Sequence, residues 1–240
     1  MQKLKNLIRK SAVAVLTILL VPSLTQAAPA KAVGGPSQDS TVLFGGIDDG
    51  RLMLEGNIGW PYYPRFAVHY GLSDRFSVGG SFALGGGYAG WWGFGMNVAA
   101  PIRWVAYKAP KMSLQLRFDP GVTLGFGWAS TLFTFNIPVA ANFGYEIPLD
   151  SKTMSLKVGG GIETGIGIMV GSFLASPAVA VPILIGPAAE LRVTKNVTIP
   201  IDIKLGPSIG TFTTGIGAIT ATSTGASLGY KFLAGVTYTL

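Results

Sequence analysis

From Leu52 to the last residue, apolar side chains recur at every second position. The stretch Met112 to Trp128 shows the pattern most fully. Met112, Leu114, Leu116, Phe118, Val122, Leu124, Phe126 and Trp128 hold one parity, while Ser113, Gln115, Arg117, Asp119, Thr123 and Gly125 hold the other. Alternate side chains of a strand point to opposite faces, so this is an extended segment with one apolar and one polar face; a helix mixes the two sets around its circumference. The alternation returns at Phe76 to Leu84, Phe94 to Trp104, Phe133 to Tyr145, Leu156 to Ile168, Ile199 to Leu205 and Tyr230 to Leu240. Most of these runs exceed the five or six residues usual for soluble strands.

Long strands with one fully apolar face fit two architectures. In a soluble sandwich the apolar face is packed by a second sheet. In a transmembrane barrel it meets lipid and the polar face lines the lumen. Aromatic residues near strand ends (Trp60, Tyr70, Trp91, Trp92, Trp104, Tyr107, Trp128, Tyr145, Tyr238) and charges in mid-strand favour the barrel. Short polar turns at Gly71 to Asp74, Lys108 to Lys111, Leu149 to Thr153 and Thr194 to Asn196 alternate with glycine- and aromatic-rich connections at Pro61 to Tyr63, Gly85 to Trp92, Ala129-Ser130, Gly171 to Ser176 and Thr211 to Ala226. The expected fold is therefore all-β, a single antiparallel up-and-down transmembrane β-barrel of about ten strands. Eight or twelve are the alternatives if Val42 to Phe44 or Thr211 to Ala226 forms strand, or if a weak segment does not. The weakest is Phe173 to Ala189, apolar at nearly every position, where Pro177, Pro182 and Pro187 argue against a helix and also weaken a ladder.

Charge changes the picture only once it is located. The 240-residue chain carries a formal +7, but Lys3, Lys5, Arg9 and Lys10 precede an apolar run from Ala12 to Leu24 and the small residues around Ala27 to Ala30. That is the layout of a secretory signal peptide, expected over residues 1–28. A periplasmic lead-in follows over 29–50 and the barrel over 51–240. Without those four cations, 18 − 4 = 14 basic residues face 11 acidic ones, which leaves no basic stripe for nucleic acid. Zero cysteines exclude thiol chemistry, and one histidine with 12% charged residues leans away from acid–base catalysis.

The C-terminal alternation of Tyr230, Phe232, Ala234, Val236, Tyr238 and Leu240 resembles the assembly signal of outer-membrane β-barrel proteins, with Tyr238 and Leu240 at its characteristic positions. Leu240 stands where phenylalanine is usual. The hairpin His69 to Phe76 is similar to a periplasmic turn of small bacterial barrels. The resemblance implies a Gram-negative outer-membrane location, membrane lipid and the barrel-assembly machinery as partners, and no particular activity.

On this reading the inward parity carries Glu55, Arg75, Arg103, Arg117, Asp119, Glu146, Lys157, Glu163, Glu190, Arg192, Asp202, Lys204 and Lys231, weighted toward the periplasmic half, with Arg65 set apart near the other end. Near-equal numbers of each sign point to mutual pairing, a lumen charge network, with small residues leaving a cup toward the exterior. No catalytic, metal or cofactor site is expected, and His69 reads as a member of the network. The expected function is a non-enzymatic barrel with a structural or surface role, binding at most a small ligand. The alternatives are a narrow diffusion pore, a lipid-acting enzyme and a soluble secreted sandwich.

Overall fold

The computed structural model describes residues 42–60, 64–85, 94–126, 131–149, 154–171, 174–216 and 219–240, all of which belong to one compact unit. The expected signal peptide, the lead-in before residue 42, and Trp91, Trp92 and Trp128 lie outside the described residues. Twelve strands are present among those described: β1 Leu52–Trp60, β2 Arg65–Ser73, β3 Phe76–Gly85, β4 Phe94–Ala99, β5 Ile102–Lys108, β6 Met112–Phe118, β7 Gly121–Phe126, β8 Thr131–Pro148, β9 Ser155–Gly171, β10 Leu174–Arg192, β11 Val197–Ile216 and β12 Ile219–Thr239.

They make ten staves. β4 and β5 lie in one line along β3, and β6 and β7 in one line along β8, with no slip of register across either gap. Both interruptions fall at proline, Pro101 and Pro120, which has no N–H to give a ladder. Ala100 N–H bonds the Pro120 carbonyl across one gap at 2.8 Å, and Asp119 N–H bonds the Pro138 carbonyl beside the other at 3.2 Å. All neighbouring staves are antiparallel, and β12 pairs with β1 to close the sheet. Tyr238 and Leu240 belong to this seam: Tyr238 faces Leu54, and Leu240 N–H donates to the Leu52 carbonyl at 2.8 Å. A single closed sheet has no second layer, so the sandwich expectation fails.

The pleat sorts residues as the alternation predicts. In β1, Met53, Glu55 and Asn57 are buried, whereas Leu54 and Ile58 are exposed on the outside; in β11, Asp202 and Lys204 are buried while Ile201, Ile203 and Leu205 are exposed. The apolar outer face of β11 runs from Val197 to Ile209, then turns to Thr211 and Thr213; that of β12 runs from Tyr238 to Leu228, then turns to Thr224 and Thr222. At about 3.3 Å per residue and a tilt near 40°, the β11 run rises roughly 30 Å, enough for an apolar membrane band. Tyr70, Tyr107, Tyr145 and Tyr238 ring the end that bears the short turns. At the opposite, loop end Trp60 stacks on Tyr230, ring centroids 5.6 Å apart.

One expectation is corrected here and one, the weakest strand, is met. Thr211 to Ala226, read as a connection, is ladder almost throughout, with Thr211 opposite Thr224 and Ile216 opposite Ile219. It lengthens two staves without adding one. The proline-rich segment is strand β10 and accommodates Pro177 by register shifts against β11 between Leu174 and Val179. Among the described residues the wall is uneven: β8 to β12 have 17–21 residues, and β1 to β3 9 or 10.

Ile203→Arg places a cation on the outer apolar face and should cost about 2–4 kcal/mol of unfolding free energy in lipid vesicles. Thr213→Arg, above the apolar run, should leave it unchanged. Equal costs in a urea titration would mean that the outer face does not meet hydrocarbon.

Candidate functional site, the lumen

Lumen chemistry begins with the register. Arg103 on β5 lies directly opposite Arg117 on β6, and Lys204 on β11 directly opposite Lys231 on β12. Like charges facing across a pair of strands sit about 5 Å apart and repel. Each pair is held by carboxylates. Asp119, at the Pro120 interruption, accepts from Arg103 and lies 3.3 Å from Arg117 and 3.9 Å from Arg65. Asp202 takes Lys204 at 2.6 Å and Lys231 at 3.4 Å. Glu163 takes Lys231 at 2.6 Å and Arg117 at 2.9 Å, so it links the two groups. The side chain between Arg117 and Glu163 in register is Ala140, small enough to let them meet.

The network extends to Glu55, which pairs with Arg65 at 3.5 Å and with His69 Nε2 at 2.7 Å and accepts from Asn57. Arg65 therefore belongs to the centre of the cluster and is not set apart. Its long stem reaches along the lumen from the start of β2 to Glu55, two residues from its register partner Asn57 on β1. A second tier lies toward the turn end, where Glu146, Lys157 and Glu190 form one cross-strand row over β8, β9 and β10. Lys157 and Arg192 approach Glu146 at 3.6 and 3.9 Å. Arg75 lies in the β2–β3 turn just before β3, half-buried, its carbonyl accepting from Val105 N–H. Water does not reach the core of the cluster: Lys204 and His69 are 0% exposed and Asp202 and Glu190 1%.

What keeps water out is a segment read in sequence as the end of a lead-in. Residues 42–47 pass inside the barrel as a strap. Val42 and Leu43 each donate a backbone N–H to Glu190 Oε1 at 2.8 Å. Asn142 Nδ2 donates to the Leu43 carbonyl at 3.2 Å, and Gln115 Nε2 to that of Gly45. Val42, Leu43, Phe44 and Ile47 cluster with Met53 and Ala188. Phe44 lies over Gly144, where a Cβ would come within 2.5 Å of its ring. Here the glycine is a socket. Between strap and network remains a void of about 10 Å³ lined by Val42, Leu43, Glu55, Arg65, Arg117 and Asp202 among others, near the lower limit for one water molecule. The sequence signal for the strap was the apolar patch Val42 to Phe44 inside a polar stretch. Nothing in it indicated which inward groups, Glu190, Gln115 and Asn142, would hold the chain.

Toward the loop end the inward residues are small. Asn97, Thr134, Asn136, Ala83 and Ala178 are buried, with Asn97 and Asn136 both donating to Thr123 Oγ1. Among the described residues no group of His, Asp and Glu has the spacing to hold a metal ion.

No family model matches this chain, and no curated protein does. Among the solved structures it is similar to are the three that follow. Against the N-terminal β-barrel domain of Pseudomonas aeruginosa OprF, identity is 11%, with 80% of this chain and 98% of that one covered and a TM-score of 0.30. Against LpxR from Salmonella typhimurium the values are 8%, 78%, 99% and 0.33. Against Ail, the attachment invasion locus protein of Yersinia pestis, they are 11%, 80%, 99% and 0.24. Likeness at this level assigns no activity.

Two substitutions test the lumen. Asp119→Asn removes the carboxylate that Arg103 and Arg117 share, leaving Arg103 facing Arg117 with the Glu163 side of Arg117 still neutralised, and should cost about 3–5 kcal/mol in urea unfolding. Gly144→Ala drives a methyl into the Phe44 ring and should cost about 1–3 kcal/mol. Adding Phe44→Ala should return most of that loss, and a double-mutant cycle without coupling would mean that Phe44 does not occupy the socket.

Proposed function

We propose that this chain is a non-enzymatic outer-membrane barrel whose lumen is closed on its periplasmic side, and that it serves as a structural or surface element instead of a conduit. The apolar outer face supports membrane insertion. The layout of residues 1–28 and the Tyr238/Leu240 ending support export and assembly into the outer membrane, with lipid and the assembly machinery as partners. The observation that carries the closed lumen is the water-inaccessible layer in which Asp119, Glu163 and Asp202 neutralise facing cations while residues 42–47 cover them. Ion passage would require stripping carboxylates from buried cations, and each such break costs several kcal/mol.

His69 supports the non-enzymatic reading. It is buried against Glu55 and engaged by it, within the network that faces away from the outer leaflet. A small ligand from outside would meet an uncharged shelf, the exposed inward residues Ser223, Gly225 and Ser227 of β12.

The mature protein in a planar bilayer should give no resolved conductance steps. Asp119→Asn combined with removal of residues 42–47 should produce them. Ohmic steps from the unaltered protein would instead assign it as a narrow diffusion pore.

A further inference from the structure

The pairing of β12 with β1 ends where Trp60 meets Phe232. Beyond that point β12 continues to Ile219 with only β11 beside it among the described strands. Which of its backbone groups face the empty side follows from the seam. Leu240 N–H points to β1 and Thr239 N–H to the β11 side, where it bonds the Asn196 carbonyl at 2.9 Å. Backbone direction alternates along an antiparallel strand, and neither ladder of β12 shifts register. The N–H and C=O of Thr222, Thr224, Ala226 and Leu228 therefore point away from β11, along an edge with no described strand beside it.

Among the described residues nothing protects this edge. Natural sheets blunt their edges with lysine, proline, bulges or short strands. From Leu205 to Tyr230 the chain has no Asp, Glu, Lys or Arg, and its only proline, Pro207, is on β11. Residues 222–228 are exposed on both faces. Above Leu228 the outward side chains are Ala226, Thr224 and Thr222, so the edge lies in water beyond the apolar band. Alternating donors and acceptors at β spacing are complementary to another extended backbone. A second copy in the same membrane does not supply one: strands tilted near 40° in two barrels sharing a membrane normal would cross at about 80°, against the roughly 20–25° between neighbours in a sheet.

We propose that the free edge of β12 over residues 222–228 is a strand-addition site at the outer surface, taking an extended, uncharged polypeptide segment of a partner that approaches from outside the membrane. Recognition runs through the backbone, so the incoming side chains need only be small and free of charge. This goes beyond the closed-lumen reading, because it requires the membrane placement and is indifferent to whether the lumen conducts.

The test uses the full mature chain in lipid nanodiscs and a synthetic peptide with the sequence of residues 220–229. Hydrogen exchange should be fast at the amides of Thr222, Thr224, Ala226 and Leu228 and slow by about tenfold or more on peptide addition. Ala226→Pro deletes an edge N–H that the β11 ladder does not use. It should weaken peptide binding about tenfold with the barrel's heat-modifiable gel mobility unchanged, while Ala226→Ser should bind as the parent does. A peptide N-methylated at every residue, which has no edge left to donate, should fail. Equal binding of the methylated peptide, or of Ala226→Pro, overturns the proposal. Amides protected without peptide overturn it too, in favour of a cover from this chain if the protection is independent of concentration and of a second copy if it rises with concentration. Failure to insert into nanodiscs would refute the membrane reading separately.

Discussion

A wall whose outer face meets hydrocarbon can keep charge only on its inner face, and it must pair every main-chain group within the wall itself. Sheet closure satisfies the second demand along the β1–β12 seam, from Met53 to Trp60. The first demand produces the lumen. Pleating sends every second residue inward, and register then brings Arg103 against Arg117 and Lys204 against Lys231. Neither pair is tolerable by itself in so dry a space. Asp119, Asp202 and Glu163 are what make the register usable, and Glu163 ties both pairs into one unit.

The strap completes the same logic. Ion pairs strengthen as water is excluded, but each buried ion has lost hydration that only good geometry restores. Val42, Leu43, Phe44 and Ile47 exclude the water, and their own main chain is satisfied by Glu190, Asn142 and Gln115. Polar wall residues thus divide between two tasks, neutralising one another and anchoring the segment that shields them.

The wall was legible in the sequence because period two is a local property. Ile199 to Leu205 against Asp202 and Lys204 needs no knowledge of neighbours. What escaped was relational. Thr211 to Ala226 gives no apolar alternation, since both of its faces leave the membrane, so strand looked like loop. The reach of Arg65 depends on the position of Glu55 in the adjacent stave. The role of residues 42–47 depends on a lumen that exists only after closure. Gly144 is the sharpest case: one glycine among 34, identifiable as a socket only once Phe44 is seen over it.

The unequal staves bear on the surrounding lipid. A bilayer that matches the apolar height of β8 to β10 is too thick for β1 to β3, and mismatch is relieved by leaning, by local thinning, or by both. The stretch of membrane beside Trp60 is therefore expected to be compressed relative to that beside Phe133 and Val170, a lopsided lipid collar. Such a collar would favour thin membranes for this chain and would fix which flank it turns toward any neighbouring protein.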